Sequence, residues 1–150
     1  LSDNAGANSI VFTDSDDVTI AFIDSDGNVN NYGSGGLNNC FGQAGGTALT
    51  NGTKNSCFGG FSATSMTTGY GVSAFGYSAG RLNVSGYDLI FIGEDAGRYE
   101  ANGSTANDTS FESIFIGNQS KSASGTLGNQ IVIGFGAPLI CATSSASPLV

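Results

Sequence analysis

Acidic side chains are the residues of this chain whose chemistry could support catalysis. The chain has no His, so it cannot form a Ser-His-Asp triad, a Cys-His dyad or a His-ligated zinc site. Two carboxylates about 5 Å apart, or roughly 6.5–9.5 Å apart, hydrolyse glycosidic bonds. Carboxylates on turns are usually solvated, and no Trp is present as a sugar platform, so we expect no catalytic residue and no enzyme. The carboxylates that gather in the second half of the chain are Asp88, Glu94, Asp95, Glu100, Asp108 and Glu112.

Oxygen-bearing side chains alternate in a short segment near the amino terminus. Asp24, Asp26 and Asn28 could ligate a hard cation such as Ca²⁺, and the segment 14–17 has a similar composition. The Gly and Glu that an EF-hand loop needs at its sixth and twelfth positions are missing. Asp, Ser and Gly also form turns without any metal. Both interpretations stay open for this segment, and we expect no cofactor.

Composition and charge exclude several classes of protein. Four Lys and Arg against twelve Asp and Glu give a net charge of −8, so binding to nucleic acid or to an anionic membrane surface is not expected. No apolar run is long enough to insert into a membrane. Since 39% of the residues are hydrophobic and ten are Phe, the chain can bury a core. The 24 Gly and two Pro still require an explanation.

An internal repeat provides that explanation. One Gly recurs every 17 residues, with a single interval of 24 that we attribute to an insertion at 104–110, at Gly42, Gly59, Gly76, Gly93, Gly117 and Gly134. A second column lies ten residues later, at Gly52, Gly69, Gly86 and Gly103. Two turn signals per period predict two short strands per coil. We therefore predict an all-β fold, a parallel β-solenoid of six coils.

Reading across the repeats assigns residues to the two faces of the predicted strands. The columns that begin with Phe41 and Asn39 share one face by strand alternation, and we expect this face to be the coil interior. The intervening column should then face outward, yet it carries no charge. An apolar outward column predicts an interface with another copy of the chain. The predicted interface residues are Cys40, Cys57, Ala74, Phe91, Phe115 and Val132.

The repeat also divides the chain into three parts. Residues 1–36 are predicted to form a small amino-terminal β cap and linker, with strands at 9–12 and 18–23 and a hairpin turn at 24–28. Residues 37–137 form the repeat domain, and 138–150 form a tail or a link to a further region. Because the chain opens with Leu1, we expect a processed product or a segment of a longer protein. Cys40 and Cys57 lie one period apart and should stack with their side chains parallel, which favours free thiols over a disulfide.

The strand endings and the turns between them resemble a known repeat. Gly76-Tyr-Ser-Ala-Gly80 and Gly93-Glu-Asp-Ala-Gly97 follow apolar strands, and Asn51-Gly52 and Thr68-Gly69 mark the turns. The pattern is similar to the YadA-like head repeat of trimeric autotransporter adhesins and to repeats in bacteriophage and other viral fibres. The resemblance covers about residues 37–137 and implies a β-roll that assembles, intertwined or side by side, as a homotrimer. The 17-residue period is longer than that of the usual adhesin head, which favours the viral relatives.

The resemblance also implies a function and a location. We expect a structural and adhesive segment of a virion tail fibre or receptor-binding fibre, with other fibre or virion subunits and a host cell-surface receptor or glycan as partners. The alternative is the head of a bacterial trimeric adhesin at the cell surface, which would bind host matrix or glycan. A polysaccharide-degrading tailspike is the third hypothesis. The inserted loop is the predicted receptor contact, through Ser104, Thr105, Asn107, Asp108 and Thr109.

Overall fold

The computed structural model describes residues 38–100 and 102–136 in full, together with Ser15 and the backbone of four short strands outside these ranges. Strands are too short for more than a few ladder bonds each, so the fold depends on stacking many of them. They are β1 (Ile10–Thr13), β2 (Thr19–Ile23), β3 (Val29–Asn31), β4 (Asn39–Phe41), β5 (Ser56–Phe58), β6 (Ser73–Phe75), β7 (Tyr87–Ile92), β8 (Phe111–Ile116), β9 (Ile131–Ile133) and β10 (Ile140–Cys141).

The first three strands form an antiparallel sheet in the order β1-β2-β3. Ile10 pairs with Ile23, and Phe22 pairs with Asn30. The strands predicted at 9–12 and 18–23 are therefore present, each displaced by about one residue. β3 lies in the stretch predicted as a linker, and the predicted turn at 24–28 is outside the described residues. The role of this sheet as a cap stays a prediction.

The predicted parallel β-solenoid is confirmed. β4 to β9 lie side by side in one sheet, all parallel, and the described residues contain no helix. Phe41 pairs with Phe58 and Phe58 with Phe75, so partners are 17 residues apart. Only the step from β7 to β8 is 24 residues, as the insertion requires. β10 adds an antiparallel strand beside β9 at one edge.

Each coil contains one regular strand rather than the two predicted. Isolated backbone bridges, such as Thr53 with Tyr70, lie just before the strands. The other side of the coil is a stack of turns in which backbone hydrogen bonds join neighbouring coils: the amide of Ala63 donates to the carbonyl of Ala79, and that of Ser65 to the carbonyl of Arg81. Gly52 and Gly69 belong to this stack, and neither has a positive φ. A Cβ on Gly69 would lie 2.5 Å from the carbonyl oxygen of Gly86 in the next coil. Gly52, Gly69 and Gly86 are therefore explained by close backbone contact between coils, whereas Gly103 has a positive φ of 74°.

The first glycine column is required by both conformation and space. Gly59 has φ of 131°, and a Cβ there would lie 2.5 Å from the carbonyl oxygen of Gly76. Three residues further on, the chain turns sharply: the amide of Ser62 donates to the carbonyl of Gly59, and the amide of Ala79 donates to that of Gly76, both at 3.3 Å. Ser62 and Ala79 are fully buried, because only small side chains fit at this corner.

The interior of the solenoid is narrow, and large side chains are matched by small ones. Phe91 and Phe115 are fully buried and stack with their ring centroids 5.4 Å apart. Space for the Phe91 ring comes from Gly80, where a Cβ would lie 2.5 Å from that ring. In the earlier coils the same column holds Cys57 and Ala74, and larger residues fill the volume instead. They are Leu49, Met66 and Val72.

The predicted orientation of the strands was wrong. The column expected to form the interface lies inside the coil: Cys57, Ala74, Phe91, Phe115 and Val132 are fully buried within a single chain, and Cys40 is partly buried. These side chains cannot contact a partner. The columns expected to be internal face outward instead. In the later coils the buried column and the outward column are both apolar, as Phe91 and Ile92 show, so the sequence pattern did not distinguish them. The narrow coil has room for only one of these two neighbouring large side chains.

Buried Asn side chains form hydrogen bonds to backbone groups inside the narrow core. Asn55 is fully buried; its side chain donates to the carbonyl of Gly69 at 2.8 Å and accepts from the amide of Val72 at 3.0 Å. Asn38 makes equivalent bonds one coil earlier, to Gly52 and to the Asn55 amide. Polar groups in a core are tolerated when all their partners are present. These side chains therefore tie each coil to the next.

Candidate functional site

The outward face of the solenoid sheet carries large apolar side chains in every coil, and polar residues share it in the first three coils, at Asn39, Ser56 and Ser73. We call it the outer sheet face. Phe41, Phe58 and Phe75 stack along it with ring centroids 5.3 and 5.1 Å apart. Phe75 is 42% exposed and Ile133 is 54% exposed, although both types are usually buried. The face comprises Phe41, Phe58, Phe75, Ile90, Ile92, Ile114, Ile116, Ile131 and Ile133.

A second aromatic ladder runs beside the point where the strands begin. Tyr70, Tyr87 and Phe111 stack with centroids 5.1 and 5.3 Å apart. Asp88 and Glu112 follow Tyr87 and Phe111, both with positive φ. Desolvation raises the pKa of Tyr87 above its ordinary value, and the charge of Glu112 adds to the effect. Because each ring covers its neighbour's face, the ladder presents ring edges to solvent.

The inserted segment is a β-hairpin rather than an open loop. Tyr99 pairs antiparallel with Ala106, and the amide of Glu100 donates to the carbonyl of Thr105 at 2.9 Å. At the tip, the Asn102 side-chain oxygen accepts from the amides of Ser104 and Thr105 at 2.9 and 2.8 Å. These bonds give the tip a defined shape.

Most of the predicted receptor contacts are accessible, and one is not. Ser104, Thr105 and Asp108 are exposed, and Thr109 is partly exposed and donates to the carbonyl of Gly125 at 2.7 Å. Asn107 is fully buried, and its amide donates to the carbonyl of Gly97 at 2.9 Å. The prediction for Asn107 was wrong because this residue anchors the hairpin to the coil instead of facing outward.

A cleft of about 140 Å³ lies at the base of this hairpin. We call it the hairpin cleft; it is lined by Asp95, Tyr99, Gly103, Gln119 and Lys121. Asp95 is paired with the Arg98 guanidinium at 2.8 Å, and the same guanidinium lies 4.8 Å from the centroid of the Tyr99 ring. Sequence reasoning missed Tyr99, Gln119 and Lys121, although Lys121 is one of only four cationic residues in the chain.

Among the carboxylates noted in the sequence, only Glu100 and Asp108 are seen to approach a common point within the described residues: a Cβ on Gly125 would lie 3.0 Å from Glu100 Oε1 and 3.1 Å from Asp108 Oδ1. Asp95 is paired with Arg98, Glu100 accepts from the amide of Gly125 at 2.5 Å, and Glu94 accepts from the Asn118 amide at 3.1 Å. No group of three or more His, Cys, Asp or Glu residues suited to a metal occurs within the described residues. The candidate ligands Asp24, Asp26 and Asn28 lie outside them.

Cys40 and Cys57 are directly paired in the sheet and are present as thiols rather than as a disulfide, as predicted. A hydrogen bond from the Cys57 side chain lowers the pKa of Cys40, and the same interaction, with burial, raises the pKa of Cys57. The Cys40 thiol therefore has the lower pKa of the two. Cys141 lies in β10, where only the backbone is described.

Comparisons with known proteins identify no relative from which a role for these residues could be inferred. Within the described residues, no helix has the length and hydropathy required to cross a bilayer. No protein-family model, no curated protein and no solved structure matches the chain.

Proposed function

We propose that the chain is a structural and adhesive segment of a viral or bacteriophage fibre, which assembles as a homotrimer and supports attachment to a host cell surface. The observation that carries the proposal is the outer sheet face. A strand sheet that is apolar on both faces is normally covered on both, and a contiguous exposed apolar patch usually marks an interface. The coil interior covers one face, so neighbouring chains would cover the other.

The resemblance to trimeric fibre repeats supports three chains rather than two. The corrected orientation strengthens the physical argument, because the outer sheet face presents large Phe and Ile side chains in every coil. The Phe and Ile positions of the face carry no charge, and the exposed acidic residues Asp88 and Glu112 lie near the beginning of β7 and β8, at one side of it. In-register stacking of like residues also explains the low charge content, since stacked columns of one sign would repel along the rod.

The alternative location is a bacterial surface, as the head of a trimeric adhesin. The same fold and the same outer sheet face serve both hypotheses. The carboxyl-terminal region of the full-length gene product discriminates between them, because an adhesin of that type ends in a membrane anchor. A tailspike that degrades polysaccharide is less favoured, because Glu94, Asp95 and Glu100 are engaged in hydrogen bonds to the protein itself.

A pair of matched substitutions tests the proposed interface. Ile92 on the outer sheet face and Leu127 on a turn are both 42% exposed, so a new Asp at either site has similar access to solvent in the single chain. Ile92→Asp should dissociate the assembly at micromolar concentration, because the charge would be desolvated at the interface. Leu127→Asp should leave it intact. Equal effects of the two substitutions, or no effect of Ile92→Asp, would contradict the proposal.

A further inference from the structure

The hairpin cleft brings a cation, an aromatic ring and a side-chain amide together in one concave site, through Lys121, Tyr99 and Gln119. We infer that it binds the carboxylate of an acidic sugar unit in a host glycan. The inference rests on the proposed adhesive function and assigns a ligand class to it. It concerns Lys121, Tyr99 and Gln119, none of which contributes to the outer sheet face.

The charges of the cleft leave one ammonium group available. Asp95 is already neutralised by Arg98, whose nitrogen lies 2.8 Å from the carboxylate oxygen. Lys121 forms no ion pair with any described residue, and its Nζ lies over Gly103, where a Cβ would be only 3.1 Å away. A partly buried ammonium without a counter-charge is favourable for an anionic ligand, since a charge-assisted hydrogen bond is about twice as strong as a neutral one.

Size and surroundings restrict the anion to a small, polar group. The cleft of about 140 Å³ is smaller than the roughly 300–1,000 Å³ typical of drug-sized ligands. At about 30 Å³ for each water, it holds the equivalent of four or five waters, which suits one carboxylate with its neighbouring ring hydroxyls. Gln119 offers both a donor and an acceptor for hydroxyl groups. The hydroxyl-bearing tip residues Ser104 and Thr105 follow Gly103 at the rim.

The overall charge of the chain does not prevent such binding. The net charge of −8 repels anions at long range, but the Debye length is about 8 Å at physiological ionic strength. Beyond that distance the repulsion is largely screened. Within the cleft the nearest groups are the free Lys121 ammonium and the neutralised Asp95–Arg98 pair. Local attraction therefore decides binding, and the affinity should fall as salt is added.

Oligogalacturonate and its methyl ester provide matched probes, because they share the same rings and differ in the carboxylate charge. We would titrate each into the ¹⁵N-labelled chain and follow amide shifts by NMR. Oligogalacturonate should shift the amides of Gly103 and Lys121 and bind at least about tenfold more tightly than the ester. Lys121→Gln should abolish that difference. Lys54→Gln removes the same charge on an exposed turn outside the cleft and should retain it.

Three results would overturn the inference: no shift in the cleft, equal affinity for acid and ester, or equal effects of Lys121→Gln and Lys54→Gln. Sedimentation of the same samples separates this failure from failure of the proposed function. A trimer that does not bind oligogalacturonate refutes the ligand class and leaves the fibre proposal standing. A monomer that binds it through Lys121 refutes the trimer and keeps the cleft.

Discussion

Replacing one Phe inside the coil and one Phe on the outer sheet face by Ala should separate the stability of the single chain from the stability of the assembly. Phe91 is fully buried and stacks on Phe115. Phe91→Ala should therefore lower the free energy of unfolding by about 3–5 kcal/mol, the usual cost of removing a buried ring. That is a large share of a total that is typically about 5–15 kcal/mol. The interface between chains should change little, because the ring does not reach the surface.

Substitution of Phe75 on the outer sheet face should affect assembly more than it affects the stability of the single chain. Its side chain is 42% exposed, and covering a whole Phe is worth roughly 1.5–3 kcal/mol. Covering the exposed part contributes about 0.6–1.3 kcal/mol per chain, or about 2–4 kcal/mol for three chains. Phe75→Ala should thus raise the trimer dissociation constant roughly 20- to 500-fold. The single chain also loses the stacking of Phe75 on Phe58, worth about 0.5–1.5 kcal/mol.

Two measurements on the same samples distinguish these effects. Urea denaturation at a protein concentration low enough for the trimer to dissociate reports the stability of the single chain. Analytical ultracentrifugation over a series of protein concentrations reports assembly. If Phe91→Ala disrupts assembly without loss of chain stability, or if Phe75→Ala leaves the dissociation constant unchanged, the assignment of inner and outer faces is refuted.

Further predictions concern the coil contacts and the thiols. Gly59→Ala should destabilise the chain more than Gly134→Ala: both need a positive φ, which costs about 1–3 kcal/mol, but only Gly59 faces a neighbouring backbone, and similar melting temperatures would contradict this. Asn55→Ala leaves one buried amide and one carbonyl unpaired and should cost about 2–6 kcal/mol in urea denaturation; a loss below about 1 kcal/mol would argue against the buried amides. Since its pKa is lowered below 9.0, Cys40 should react with iodoacetamide before Cys57, as peptide mapping would show; equal rates would contradict the pairing.

The period of the repeat was sufficient to predict the fold, because parallel in-register stacking requires like residues at equal spacing. Partners such as Phe41 and Phe58 could be read from the sequence alone, and so could the 24-residue step at the insertion. The position of Gly59 followed from the same repeat. These features depend on the backbone path, which the glycines constrain directly.

The orientation of the strand could not be read in the same way. Phe91 and Ile92 are both large and apolar, and alternation says only that they lie on opposite faces. Which one is inside depends on residues far along the chain, such as Gly80, which leaves room for the Phe91 ring. Burial of Asn107 depends equally on distant partners, among them the Gly97 carbonyl. The hairpin cleft also arises only when Lys121 is brought beside the hairpin by the 24-residue coil.

Sedimentation equilibrium of the unaltered chain at micromolar concentration tests the central claim most directly. If the outer sheet face joins three chains, the measured mass should be about 45 kDa, three times the 15.0 kDa of one chain. A single species of 15.0 kDa would contradict the proposed assembly and leave the exposed Phe and Ile columns without the partner that we assign to them.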